Sequence, residues 1–192
     1  MIYVQNILRA LVIVASFHVG SGTAPYRPIM SYSAGPGKFV VLEAQHLPYG
    51  DTAYRLRQCV NHRFSADAVK LFGIRTPSVR IINSNSGRVY VWVMEYDMST
   101  SVTFYRSCST GLLQLWSDES KGGVVTRFPS RNSAVVFIGR YRWQTTAVRQ
   151  AGESQYVVQI YRFKDGKTRH LSDMDPRPQG GWWPDPRFLK FH

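Results

Sequence analysis

The chain has 192 residues, 44% apolar and 14% aromatic, and its 24 Lys and Arg residues against 12 Asp and Glu give a formal charge of +12. So many apolar and aromatic side chains exclude an intrinsically disordered chain, and the length suits one domain better than two. The charge favours an anionic partner, such as nucleic acid, an acidic protein surface, or an anionic polysaccharide or lipid. A basic surface without a specific ligand is the alternative.

Residues 1–24 have the layout of a secretory signal peptide. Arg9 is the one Lys or Arg residue, residues 10–19 form a mainly apolar run, and residues 20–24 are small side chains suited to cleavage. The apolar run is about half as long as a bilayer span requires. We therefore expect cleavage after Gly22 or Ala24 and a secreted protein without a membrane span. A buried N-terminal strand or helix and a retained signal anchor are the alternatives.

The segment after the signal peptide is predicted to be irregular, then extended, then helical. Residues 25–37 contain three prolines and two glycines, which favour an irregular lead-in. The apolar stretch Lys38–His46 predicts a strand. Asp51–Phe72 is predicted to be a helical region broken near residue 64, because Asp51 is suited to cap its start and Gly73 to end it.

From Pro77 onward the apolar pattern has a period of two, which predicts antiparallel strands joined by hairpins. Lys164–Lys167 reads Lys-Asp-Gly-Lys, a sequence typical of a type I′ hairpin turn. The strands are predicted at residues 79–82, 88–96, 102–106, 112–116, 124–128, 133–143, 155–163 and 168–171, with a polar loop at 118–123. The sequence therefore predicts a single basic α+β domain over residues 25–172, with one helical region packed on an antiparallel sheet.

The segment 173–192 differs from the rest, because it is rich in Pro, Gly and Trp. Such a composition excludes a central strand or a helix. We expect either a tail that wraps over the domain through its aromatic residues or a mobile arm.

Cys59 and Cys108 are the only cysteines of the chain. In a secreted protein two cysteines permit one intramolecular disulfide, so we predict a Cys59–Cys108 bond, with two buried free thiols as the alternative. The spacing of Cys and His matches no metal-binding motif, and we expect neither a metal nor another cofactor.

The chain contains no Gly-x-Ser-x-Gly motif, no phosphate-cradling glycine loop and no zinc-protease motif. General acid–base chemistry would most readily use a histidine with a glutamate, and the candidates are His46, Glu95 and His170. The spacing of these residues selects no pair, so the sequence favours a protein that is not an enzyme.

Basic and aromatic residues alternate on two predicted strands, as Arg140-Tyr141-Arg142-Trp143 and Tyr161-Arg162-Phe163-Lys164. Alternation along a strand places the basic residues of each run on one face. If the two strands are neighbours, Arg140, Arg142, Arg162 and Lys164 would form one basic stripe for phosphate contacts, with Arg169 on the next strand and aromatic rings at the rim to stack on bases. Ordinary sheet patterning, with aromatic residues in the core, is the alternative.

The order of these features resembles the ribonuclease-like secreted effectors of fungal plant pathogens. The resemblance lies in residues 66–72, the segment Thr76–Ile82, the turn at 83–87, the strands at 88–95 and 102–106, and Thr126–Pro129. It implies a ribonuclease-like fold without catalysis that binds host RNA or host proteins after secretion, and a site of action that includes the host cell. The chain departs from the group in having Tyr32-Ser33-Ala34 where a Tyr-x-Cys is common, and Cys59 in the predicted helical region.

Three functions follow as hypotheses. The first is a secreted effector or virulence protein, monomeric and non-enzymatic, that binds a host protein or nucleic acid. The second is an active secreted ribonuclease or toxin, in which His46 or His170 acts with Glu95, and Arg140 or Arg162 stabilises the transition state. The third is a structural or coat-type protein whose basic face binds genome or cell-wall polymer.

Overall fold

The structure, a computed structural model, describes residues 24–143 and 154–174. All but the last residue of the predicted signal peptide (1–24) and all but the first two residues of the predicted tail (173–192) lie outside the described part. None of the described residues belongs to a helix long and apolar enough to cross a membrane. The described part is built from β-strands alone: β1 (Arg27–Gly35), β2 (Lys38–His46), β3 (Thr52–Val60), β4 (Arg63–Leu71), β5 (Ser78–Asn83), β6 (Val89–Tyr96), β7 (Thr100–Ser107), β8 (Leu112–Ser120), β9 (Val124–Ser130), β10 (Ser133–Trp143), β11 (Ser154–Lys164) and β12 (Lys167–Met174).

The strands form three antiparallel four-stranded sheets. The first sheet is β1–β4, the middle sheet is β5–β8 and the third sheet is β9–β12, and in each one consecutive strands are neighbours. Every pairing within a sheet therefore joins strands that follow each other along the chain.

The middle sheet lies between the other two, because its two faces are buried in different cores. Val91 and Val93 pack with residues of the first sheet, such as Leu42. Tyr90 and Trp92, which alternate with them along β6, pack against the third sheet. Successive side chains of a strand point to opposite faces, so a run that is apolar at every position is what a strand of a middle layer requires.

The predicted α+β fold is wrong, since the described residues are all-β. The predicted helical region Asp51–Phe72 forms the antiparallel pair β3 and β4. The chain reverses between them at Asn61 and His62, whose φ angles are 48° and 65°. Asn and His adopt this left-handed region more readily than most residues, and two such residues in succession make a tight hairpin turn. The lead-in predicted to be irregular forms β1.

The strands predicted after Pro77 are present as antiparallel hairpins, and β10 has the predicted bounds, Ser133–Trp143. β8 runs on to Ser120 and occupies part of the predicted polar loop. The predicted type I′ turn is confirmed, because Asp165 and Gly166 have φ angles of 51° and 82°. β12 then continues to Met174, which lies past residue 172.

Candidate anion-binding face

The β11–β12 hairpin places four cationic side chains on one face of the third sheet. The register sets Arg162 opposite Arg169 and Lys164 opposite Lys167. Directly opposed residues share a face of the sheet, and the two pairs are separated along the strands by about 7 Å, the length of two residues. All four side chains are exposed. We call Arg162, Lys164, Lys167 and Arg169 the cationic quartet.

The charges of the quartet are not neutralised by other described residues. No quartet member forms an ion pair or a side-chain hydrogen bond with a described residue, whereas Arg55, Arg57, Arg140 and His170 do form ion pairs. Like charges directly opposite each other destabilise an antiparallel pair. The hairpin therefore carries an electrostatic cost that a bound anion would remove.

Beside the quartet, the same face of the sheet carries Arg127 on one side and apolar residues on the other. Arg162 lies opposite Val135 of β10, which in turn lies opposite Arg127 of β9. Further along the same face, Phe137, Val158 and Ile160 form a buried apolar cluster with Val135. The quartet thus lies at the hairpin end of the face, where the charges are open to solvent.

The structure brings Arg162, Lys164 and Arg169 together, as the sequence suggests, but it places Arg140 elsewhere. Arg140 lies opposite Val157, five positions along β11 from Arg162, and its side chain points toward the middle sheet. Its guanidinium pairs with Asp118, and its Nη1 donates to the Glu119 carbonyl at 2.8 Å. Arg140 therefore joins two sheets, and the prediction of one stripe along both strands is wrong. The Arg142 side chain lies outside the described ones.

The aromatic residues Tyr161 and Phe163 do not form a rim on which bases could stack. Phe163 is fully buried and its ring stacks on Phe104 at a centroid distance of 4.1 Å. Tyr161 also faces the middle sheet and packs against Trp116. Tyr141 and Trp143 have side chains outside the described ones. The alternative of ordinary sheet patterning, with aromatic residues inside and charges outside, is thus correct for β11.

Lys167 is a quartet member that the sequence analysis missed. The sequence could have shown its position, because residues at equal distances from the Asp165-Gly166 turn must face each other across a two-residue hairpin. Lys164 and Lys167 are one such pair, and Arg162 and Arg169 are the next pair on that face.

The three catalytic candidates lie in different places. His46 is at the end of β2, where its Nδ1 lies 3.4 Å from the Thr52 hydroxyl. His170 is exposed; it pairs through Nε2 with Asp173 at 2.7 Å, and its ring contacts that of Tyr161 on the side of the third sheet that faces the middle sheet. Glu95 is on the opposite face of the middle sheet. The structure therefore does not unite Glu95 and His170 into an acid–base pair.

Glu95 sits in a cleft between the end of β4 and the middle sheet. The Phe72 N–H donates to its Oε2 at 2.6 Å. Burial raises the pKa of Glu95 above its ordinary value of 4.5, and hydrogen bonds from Phe72, Ser101 and Gly73 oppose that shift. The described residues that line this cleft include no histidine, so the cleft lacks the partner that the ribonuclease hypothesis requires.

The predicted disulfide is not present in the structure, where Cys59 is a buried free thiol and Cys108 a half-buried one. Gln58 faces the middle sheet and donates from Nε2 to the Cys108 carbonyl at 2.8 Å. Cys59 is the next residue of β3 and points to the other face of the first sheet, opposite Phe39. The thiols are therefore directed to different sides of that sheet.

No protein-family model matches this chain, and no curated protein or solved structure is significantly similar to it. The geometry of the chain is therefore the basis on which a function is proposed.

Proposed function

We propose that this protein is a secreted, non-enzymatic binding module whose cationic quartet holds the phosphates of a nucleic acid, with single-stranded RNA as the model ligand. The observation that supports the proposal is the register of the β11–β12 hairpin, which opposes Arg162 to Arg169 and Lys164 to Lys167. Contacts between cationic side chains and phosphates provide most of the affinity of sequence-independent nucleic-acid binding.

The charge of the whole chain supports the same proposal. A formal charge of +12 raises the local concentration of an anionic partner and speeds its association. Net charge alone does not select a site, whereas four cations within one hairpin do. Because arginine offers several N–H donors in a planar fork, Arg162 and Arg169 are the members best suited to phosphate oxygens.

The experiment compares two double variants that remove the same charge. Arg162→Gln with Arg169→Gln breaks the quartet, and Lys38→Gln with Arg63→Gln removes two exposed cations from the first sheet. Binding of a fluorescent oligouridine is followed by anisotropy, and the RNA is recovered to test whether it is intact. We expect the quartet variant to bind at least about tenfold more weakly than the matched control, with intact RNA throughout.

Equal weakening in both variants would show that only net charge matters and would overturn the assignment of the quartet. Cleavage of the RNA by the wild type, absent in Glu95→Gln or in the two histidine-to-alanine variants at 46 and 170, would support the ribonuclease alternative. Absence of RNA binding at low salt would overturn the assignment of a nucleic-acid ligand and would favour an acidic host protein as the partner.

Secretion is the other part of the proposal, and it rests on the composition of residues 1–24. Expression in a secreting host followed by N-terminal sequencing tests it. A mature protein that begins at Thr23 or Pro25 is expected, and retention of the full chain in the producing cell would contradict it. The virulence role stays a prediction. It follows from a resemblance to proteins with a helix, whereas the predicted helical region of this chain forms β3 and β4.

A further inference from the structure

The first and middle sheets separate at one edge, and the space between them is a polar cleft. The cavity has a volume of about 330 Å³ and is lined by the end of β4 and the face of β6–β8 that points to the first sheet. Cavities of this size suit small ligands. We call it the Glu95 cleft, after the carboxylate described above.

The register of the middle sheet explains why the cleft is polar. Val93 of β6 lies opposite Thr103 of β7, and Thr103 lies opposite Ser117 of β8. Across the sheet, the side chains on this face thus change from an apolar core residue on β6 to hydroxyl-bearing residues on β7 and β8. The Thr103 and Ser117 hydroxyl oxygens are 2.9 Å apart. Six neutral polar residues line the cleft: Ser99, Ser101, Thr103, Tyr105, Gln114 and Ser117.

Glu95 is a half-buried residue of the cleft lining. Its carboxylate accepts a hydrogen bond from the Phe72 N–H at 2.6 Å, and the Gly73 N–H and the Ser101 hydroxyl lower its pKa. Gly73 permits this arrangement, because a Cβ there would lie 3.0 Å from the backbone nitrogen of Tyr96. A carboxylate has about four lone-pair sites, so acceptor positions remain for a ligand. Burial and the Glu95 charge raise the pKa of Tyr105 to about 12, which keeps its phenol protonated.

An exposed aromatic ring stands at the rim of the cleft. Phe72 is 80% exposed and belongs to the lining. The ring is therefore accessible to a ligand that occupies the cleft. The ring offers a flat apolar surface next to hydrogen-bonding groups.

We propose that the Glu95 cleft binds a neutral saccharide of one or two units. Sugar hydroxyls both donate and accept, so they match a carboxylate together with neutral hydroxyls and an amide. The C–H face of a sugar ring is apolar and packs on an aromatic ring. The carboxylates Glu95, Asp97 and Glu119 outnumber the one lysine, Lys70, in the lining, which disfavours an anionic ligand such as the one proposed for the quartet.

The test is ligand-observed NMR with a panel of neutral disaccharides (cellobiose, maltose and N,N′-diacetylchitobiose) and with spermine as a cationic probe. The variants are Phe72→Ala and Glu95→Gln, and Tyr49→Ala is the matched control because Tyr49 is a 94% exposed aromatic residue that does not line the cleft. We expect at least one disaccharide to bind, with affinity reduced about tenfold or more in Phe72→Ala and Glu95→Gln and unchanged in Tyr49→Ala.

Binding of spermine in place of every sugar, absence of binding by the whole panel, or sugar binding that survives Phe72→Ala would each overturn the proposal. The variant Arg162→Gln with Arg169→Gln separates this inference from the proposed function. It is expected to lose RNA affinity and to keep sugar affinity, and loss of both in that variant would overturn the independence of the two sites.

Discussion

Replacing Arg169 with Glu is expected to make the fold more stable and RNA binding weaker at the same time. Arg169 lies directly opposite Arg162 on exposed strands. Two charges about 7 Å apart in a water-like dielectric interact by about 0.6 kcal/mol. Arg169→Gln removes that repulsion, and Arg169→Glu replaces it with an attraction of similar size. The expected gains in unfolding free energy are about 0.6 and about 1.2 kcal/mol; each step of about 0.6 kcal/mol lies within the range measured for cross-strand pairs.

Thermal and urea unfolding of the wild type, Arg169→Gln and Arg169→Glu at low salt measure these gains. A gain of about 1.2 kcal/mol corresponds to a rise in Tm of about 2–5 °C for a domain of this size. At about 1 M salt the Debye length is about 3 Å, so the three proteins are expected to converge. Arg63→Glu is the matched control, because Arg63 is also exposed on an edge strand but lies opposite Val60.

Two results would refute this reasoning. The first is a stability order in which Arg169→Glu falls below the wild type at low salt. The second is a gain of equal size in Arg63→Glu, since that would trace the effect to the net charge of the protein and not to the opposed pair.

Three further predictions concern the core, the cysteines and the cleft. Phe163→Ala is expected to cost about 3–5 kcal/mol, seen as a lower urea midpoint, because Phe163 is fully buried and stacks on Phe104; a cost below about 1 kcal/mol would contradict this packing. A thiol-alkylating reagent is expected to modify half-buried Cys108 in the native protein and Cys59 only after unfolding. If mass spectrometry finds neither thiol free, the result would support the predicted Cys59–Cys108 disulfide instead. Because burial raises the pKa of Glu95 above 4.5, the folded state binds its proton more tightly than the unfolded state does. The stability this provides is present below pH 4.5 and is lost as pH rises through the raised pKa. The wild type should therefore lose stability relative to Glu95→Gln over that interval. A stability difference that does not change with pH would contradict the raised pKa of Glu95.

The sequence pattern predicts most strands after Pro77, because each has a clear period of two and ends in a recognisable turn. The pattern fails at β3 and β4 because tertiary contacts bury a polar side chain there. Gln58 faces inward and is 4% exposed, since its amide bonds to Ser107 and to the Cys108 carbonyl. A polar residue at an inward position breaks the alternation, and the apolar residues that remain also fit a helix.

The candidate site was predictable only in part, because strand register is not visible in the sequence of a single strand. The Asp165-Gly166 turn fixes the register between β11 and β12, so the pairing of Arg162 with Arg169 follows from local sequence. The sequence of residues 144–153, between β10 and β11, contains no Asp-Gly or Asn-Gly pair, and the register there sets Arg140 opposite Val157. Arg140 was therefore assigned to a face that it does not share with Arg162.

The salt dependence of RNA binding tests the central claim most directly. The affinity of the wild type and of a variant with all four quartet residues changed to Gln is measured across a salt series with oligouridine. Each phosphate contact to a single strand contributes about 0.7 to the slope of log K against log salt, so the slope is expected to become shallower by about 3. An unchanged slope in the quadruple variant would contradict the claim that the β11–β12 hairpin holds the phosphates.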